Sequence, residues 1–212
     1  MTPEEMIVAC CTDIAGKVRG KGFPASQFDK RLRRGVGWTP TNIQITCFDL
    51  LASSPFGSLG DLVLIPDPDA RVRVDFEDGG PVEHFALGDI RHTNGDPWEF
   101  CTRAMLRTAL ARLKDVGGLS LYGAFEHEFQ FKGQHHPLGD AYTLSGFRAE
   151  REFAELLVAA LAKTGIEPDT FMKEYGPGQY EVTMGPQHGL AIADQSTILR
   201  ELTRATAQRL DR

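Results

Sequence analysis

No stretch of the 212 residues stays apolar for the roughly 18 residues that a membrane-spanning helix needs. The chain also lacks a disulfide framework. Its four cysteines, Cys10, Cys11, Cys47 and Cys101, show neither C-x-x-C spacing nor regular intervals, which predicts free thiols in a reducing compartment. Basic excess is missing too: 29 Asp and Glu stand against 23 Lys and Arg, a formal net charge of −6. That balance argues against general nucleic-acid binding, which needs a basic footprint. The start carries Glu4 and Glu5 where a secretory leader would be basic and then apolar. The expectation is a soluble, cytoplasmic protein with no membrane and no nucleic-acid partner. A phosphate-cradling P-loop is absent as well. In Ala15-Gly-Lys-Val-Arg-Gly-Lys-Gly22 the first two glycines lie too close together, and Gly22 follows Lys21 where Ser or Thr would stand. This segment reads as a hairpin turn.

Turn and periodicity signals divide the chain in two. The first part is β-rich. Met6 to Asp13 is a short apolar strand, Asn42 to Leu50 a strand candidate, and Asp61 to Pro66 an apolar run that Pro66-Asp-Pro68 should close. Arg71 to Phe76 alternates charge with Val and Phe. Between these, Ser26 is placed to cap a short helix over Gln27 to Arg34, which Gly35 stops and whose Lys30, Arg31, Arg33 and Arg34 form a solvated face. From Gly95 the character changes. Asp96 and Pro97 suit a helix start, with Trp98 to Lys114 helical, and a second helix near Ala149–Lys163 has apolar residues at helical spacing. Strand-like segments 166–173 and 178–184 flank Gly176-Pro177-Gly178, and Ala191 to Leu210 is helical, without a glycine or proline stop signal before Arg212. The expected class is α+β, with one domain over residues 1–95 and another over 96–212.

The second part carries the chemistry. Read as one strand, Gly123 to Phe131 puts Phe125, Phe129 and Phe131 on one face and Glu126 and Glu128 on the other, with about 6.6 Å between the glutamate Cα atoms. Like charges side by side repel, and a hard cation such as Mg2+ or Mn2+ removes that penalty with oxygen ligands. Two more acids bracket a bend in Glu174-Tyr-Gly-Pro-Gly-Gln-Tyr-Glu181, which folds the chain back and can bring Glu174 and Glu181 to one point. Gln179, Glu181 and Thr183 share a strand face. Four carboxylates converging in one sheet predict a metal site. His135 and His136, without a third partner at ligand spacing, read as loop residues.

These segments resemble the glutamine synthetase family. Glu126-His-Glu128-Phe129 is similar to its E-x-E-F strand, and Glu174 to Glu181 to its later segment ending G-Q-x-E. The glycine-proline form of the latter is similar to that of γ-glutamyl-amine ligases. Thr12 to Lys21 resembles the family's D-x-x-G-x-x-R-G-K turn, and Leu59 to Asp67 its G-D-x-x-L-x-P-D run. The resemblance implies an amino-terminal β-grasp domain, followed by the beginning of the family's catalytic α+β domain. It also implies the reaction: ATP, as co-substrate, phosphorylates a glutamate γ-carboxylate, and ammonia or an amine then displaces phosphate. Glu128, Glu174 and Glu181 match the ligands of one divalent ion, Mg2+ or Mn2+, and Glu126 a ligand of a second. Asp169 falls where the family has an acid near the nucleotide. A ring-shaped homo-oligomer is implied as well, acting on glutamate or a related acid. The family's phosphate-binding arginines and further metal histidine have no counterpart here, so catalytic residues stay unassigned and the chain is not expected to turn over alone. The alternatives are a non-catalytic metal- or nucleotide-binding paralogue that modulates a full-length assembly, and a plain interaction module.

Overall fold

The computed structural model describes residues 3–132 and 138–212. His135 and His136, read above as loop residues, lie outside the described residues. The chain forms two compact units, Met1–Arg73 with His84–Ser120 and Val74–Glu83 with Leu121–Arg212. Among the described residues no helix is long and apolar enough to cross a membrane.

The first unit is built on a five-stranded mixed sheet. Strands β1 (Met6–Thr12) and β2 (Val18–Pro24) form the hairpin that the glycines predict, paired from Met6 opposite Pro24 to Thr12 opposite Val18. A short 3-10 turn (Ala25–Gln27) leads into α1 (Phe28–Arg34), then come β3 (Val36–Trp38), β4 (Leu62–Val74) and β5 (Glu83–His92). The spatial order is β2-β1-β5-β4-β3, with β1 and β5 parallel, which is the β-grasp arrangement. Ile7, Ala9, Phe23, Phe28, Trp38, Ile43, Leu62, Leu64 and Trp98 fill its core. Helix α2 (Thr102–Gly117) closes the unit, ending at Gly118 in the left-handed region.

Four local expectations need correction. Ser26 does not cap α1: its hydroxyl donates to Glu4 at 2.8 Å, and the helix starts two residues later. Asn42–Leu50 is not a strand. Thr39 and Pro40 open a 3-10 turn (Pro40–Ile43), and the following loop is pinned by Arg19, which reaches the Ile45 and Thr46 carbonyls while paired with buried Asp13. Pro66 and Pro68 do not end their strand. β3 pairs only with Leu62–Leu64, so beyond it the outer edge of β4 needs no N–H donors and accommodates proline. On its other side Gly88 of β5 lies so close to the Ile65 carbonyl that an added Cβ would sit 2.3 Å from it. Finally, the stretch after Asp96-Pro97 is not yet helical. Trp98 turns into the core, and Cys101 is the residue from which α2 begins.

A polar cluster gives this unit a pH response. Arg71 Nε donates to His84 Nε2 at 3.0 Å, so the buried imidazole is neutral and its Nδ1–H donates to Glu5 at 2.5 Å. Arg73 forks onto both Glu5 oxygens at 2.9 and 2.8 Å. Burial, with Arg71 and Arg73 nearby, holds His84 below the ordinary histidine value, and the hydrogen bond from Arg73 leads in lowering Glu5 to about 2. The unfolded chain therefore takes up protons first, at roughly pH 6.5 for histidine and near 4.5 for glutamate. Stability from both groups is present above those values and is lost as pH falls. Thermal melts from pH 8 to pH 5 should show a declining midpoint, and His84→Gln should flatten that slope; an identical slope would show that His84 does not contribute.

The second unit holds β6 (Tyr122–Gly123), β7 (His127–Gln130), α3 (Leu144–Ala149), α4 (Arg151–Ala162), β8 (Pro168–Lys173), β9 (Gln179–Met184), β10 (Gln187–His188) and α5 (Leu190–Arg209). Its main sheet runs β7-β9-β8, all antiparallel, and β6 pairs with β10. Helix α4 buries Phe153, Leu157, Ala160 and Leu161 of the stripe that periodicity predicts, together with Ala154, while Leu156 of that stripe is only half-buried, and α5 adds Leu199 and Leu202. Gly123–Phe131 is two short strands and not one: β7 starts only at His127. Leu119, Leu121 and Phe125 accordingly stay exposed, while Phe131 is buried and Phe129 partly so.

Candidate metal centre

Alternation along β9 sends Tyr180, Val182 and Met184 into the core and leaves Gln179, Glu181 and Thr183 on the opposite face. In β7 the same alternation puts Phe129 inward and Glu128 outward. The register sets Glu128 directly opposite Glu181, and on the other side Met172 of β8 faces Glu181. Two residues beyond Met172, on the same face, Glu174 begins the turn back to Gln179, its N–H donating to the Gln179 carbonyl at 2.9 Å. Directly opposed carboxylates on neighbouring strands are a destabilising pair unless something positive lies between them.

The electrostatics agree. Burial pushes the Glu181 carboxyl up first, followed by the charges of Glu126, Glu174 and Glu128 and a hydrogen bond with Glu174. The other three predicted carboxylates are thus near enough to act on Glu181, although Glu126 precedes β7 and does not belong to it. Among the described residues no three acidic, histidine or cysteine side chains stand at ligand spacing. Two of the acids hold other partners. The Tyr142 hydroxyl donates to Glu174 at 2.7 Å, and the Gln179 side-chain amide donates to Glu128. The Tyr142 phenol is pushed up to about 12, chiefly by its hydrogen bond to Glu174. The donor set, all hard oxygen, suits Mg2+ or Mn2+ and offers nothing to a soft metal. Asp169 stands apart. It lies at the far end of β8, exposed, where Thr183 Oγ1 donates to it at 3.4 Å.

Two glycines shape the turn. Gly178 has φ +63°, and Gly176 leaves space for Gln179, whose side-chain oxygen would lie 2.4 Å from an added Cβ. Gly176 N–H donates to that oxygen at 2.8 Å, which aims the other end of the amide at Glu128. Tyr142 and Lys173 are the participants that sequence reading passed over. Tyr142 is 32 residues from Glu174 and takes φ +58°, unusual for an aromatic residue, so no local signal announces it.

Fold and site together define an α+β protein that sets Glu128 and Glu181 opposite each other on neighbouring antiparallel strands. Residues 1–98 match the glutamine synthetase N-terminal domain and residues 99–212 the glutamine synthetase catalytic domain. The chain belongs to the glutamine synthetase family. Among curated relatives, it is 30% identical over 217 residues to a gamma-glutamylpolyamine synthetase of Streptomyces coelicolor, covering 96% of this chain and 45% of that one. It is 26% identical over 196 residues to a glutamine synthetase of Thermus thermophilus, covering 86% and 42%. Among solved structures, a novel glutamine synthase homolog superposes with a TM-score of 0.90 at 40% identity, over 100% of this chain and 50% of that one. The chain therefore spans about half the length of the relatives it matches.

Proposed function

We propose that this chain supplies the β-grasp domain, residues 1–95, and the carboxylate-bearing strands of an ATP-dependent carboxylate–amine ligase of the glutamine synthetase type. The observation that carries this is the Glu128–Glu181 cross-strand pair with Glu174 beside it, within a chain of that family. Glu128, Glu174 and Glu181 would hold one Mg2+ or Mn2+, and Glu126 would contribute to a second. Bound there, divalent ions would neutralise charge on a phosphoryl group passing from ATP to a glutamate γ-carboxylate. The chain's own residues do the rest: Gln179 orients Glu128, Tyr142 orients Glu174, and the sheet keeps the acids on one face. The acceptor is ammonia or an amine. The Gly-Pro-Gly-Gln turn and the similarity to a gamma-glutamylpolyamine synthetase support an amine. Family membership likewise supports a homo-oligomeric ring. Asp169, set away from the carboxylates, would serve the nucleotide and not the ions.

Calorimetric titration of the 212-residue chain with Mn2+, with and without ATP, tests this reading. One ion per chain, lost in Glu128→Gln, is the expected result. Binding that survives both Glu128→Gln and Glu181→Gln, or no binding by the folded chain, would overturn the assignment of these acids as a self-sufficient site.

A further inference from the structure

We propose that Lys173 is a positioning residue for the carboxylates: its buried ammonium holds the Glu174–Gln179 turn and, through Gln179, the Glu128 side chain. The proposal rests on the metal-site reading above. Lysine is among the residues least often buried, yet Lys173 is 4% exposed. It lies on the core face of β8. Its stem runs past Gly146 of α3, where an added Cβ would come within 2.7 Å of the lysine Cγ, and its ammonium lies 5.6 Å from the Tyr180 ring centre. Tyr180 in turn donates its hydroxyl to the Gly146 carbonyl at 2.9 Å, so the slot around the stem is closed by mutual contacts.

The ammonium is directed at the turn. It donates to the Glu174 carbonyl and, at 2.7 Å, to the Gly176 carbonyl. A buried charge must be compensated where it sits, and these carbonyl dipoles supply the compensation. The consequence runs outward along a continuous path. With its carbonyl held by Lys173, Gly176 offers its N–H to the Gln179 side-chain oxygen, and the Gln179 amide nitrogen reaches Glu128. The same lysine carbonyl accepts from Tyr142 N–H at 2.9 Å, placing the phenol that reaches Glu174. The buried side chain on the inner face thus holds the Glu174 backbone directly and Glu128 through Gln179, while Tyr142 is held by the lysine's backbone carbonyl. Neither a hydrophobic residue nor a solvent-facing lysine at this position would do so.

Lys173→Met keeps the stem and removes the donors. Two measurements on the metal-free and Mn2+-loaded 212-residue chain test the proposal. Amide hydrogen exchange of the metal-free variant should be at least about 10-fold faster at Glu174, Gly176 and Gln179, with Val182 in the neighbouring strand unchanged. Mn2+ affinity should fall by about 10- to 100-fold, as for other residues that orient metal ligands. Lys173→Arg, which keeps a cation with several donors, should restore part of both; should Lys173→Met fail to fold, Lys173→Gln takes its place. Unchanged exchange at the three amides in a folded variant would overturn the proposal. So would unchanged Mn2+ affinity beside a loss in Glu128→Gln, which would leave the metal reading intact. If the unmodified chain binds no Mn2+, the metal reading falls, and the exchange comparison still decides whether Lys173 holds the turn.

Discussion

Glu181→Gln should raise the melting temperature of the metal-free chain by roughly 1–4 °C while weakening Mn2+ binding by at least about 100-fold. The two effects have one cause. Glu181 is buried, faces Glu128 across the strands and is charged against Glu126 and Glu174 as well. Without a cation the charged carboxylate costs stability, and a neutral amide of the same shape can still donate to Glu174. With a cation bound as proposed, the same carboxylate would be a ligand whose loss nothing replaces. The pH dependence follows from the upward push on Glu181. Its neutral form favours the folded state, so that contribution is complete below roughly pH 4.5 and disappears as pH rises through the folded value. Melting curves of the metal-free protein should therefore differ most between Glu181→Gln and the unmodified chain at neutral pH, and least in acid. A lower metal-free melting temperature, together with an intact Mn2+-induced shift, would show that Glu181 is a structural acid.

Phe153→Ala should destabilise the second unit by about 3–5 kcal/mol, lowering its melting temperature by on the order of 10 °C. Phe153 is 1% exposed and its ring lies 5.0 Å from Phe131, 5.5 Å from Phe129 and 6.2 Å from Phe171, centre to centre. These rings back β7 and β8, the strands that carry Glu128 on one side of β9 and lead into Glu174 on the other. Truncation leaves a cavity that the flanking strands cannot fill without moving. Phe125→Ala offers the comparison. It was expected on the same apolar face, but it precedes β7, is 51% exposed, and should cost less than about 1 kcal/mol in the same denaturation experiment. Equal losses for the two variants would mean that the aromatic cluster is not what supports the sheet.

Much of this arrangement was readable from local rules. A hairpin needs glycine at its bends, an amphipathic helix repeats its apolar residues every three or four positions, and a strand alternates. Those rules located β1, α4, α5 and β9 within a residue or two, although most of Ala15–Gly22, read as the hairpin turn, is strand β2. They misread Asn42–Leu50, whose apolar composition suits a strand but whose Thr39-Pro40 entry starts a 3-10 turn. They also split β4 at prolines that an unpaired edge tolerates.

Residue type and spacing were enough to propose that Glu126, Glu128, Glu174 and Glu181 gather at one place, because short-range periodicity and a glycine bend constrain both segments. Tertiary structure alone decided the rest. The alignment of Glu128 with Glu181 depends on how β7 pairs with β9, strands about 50 residues apart in the chain. Tyr142 reaches Glu174 across 32 residues, and Lys173, given no role by the sequence, turns inward onto the Gly176 carbonyl. Register and burial are set by the summed packing of distant elements, and a charged side chain carries no local mark of whether it will meet water or a row of carbonyls.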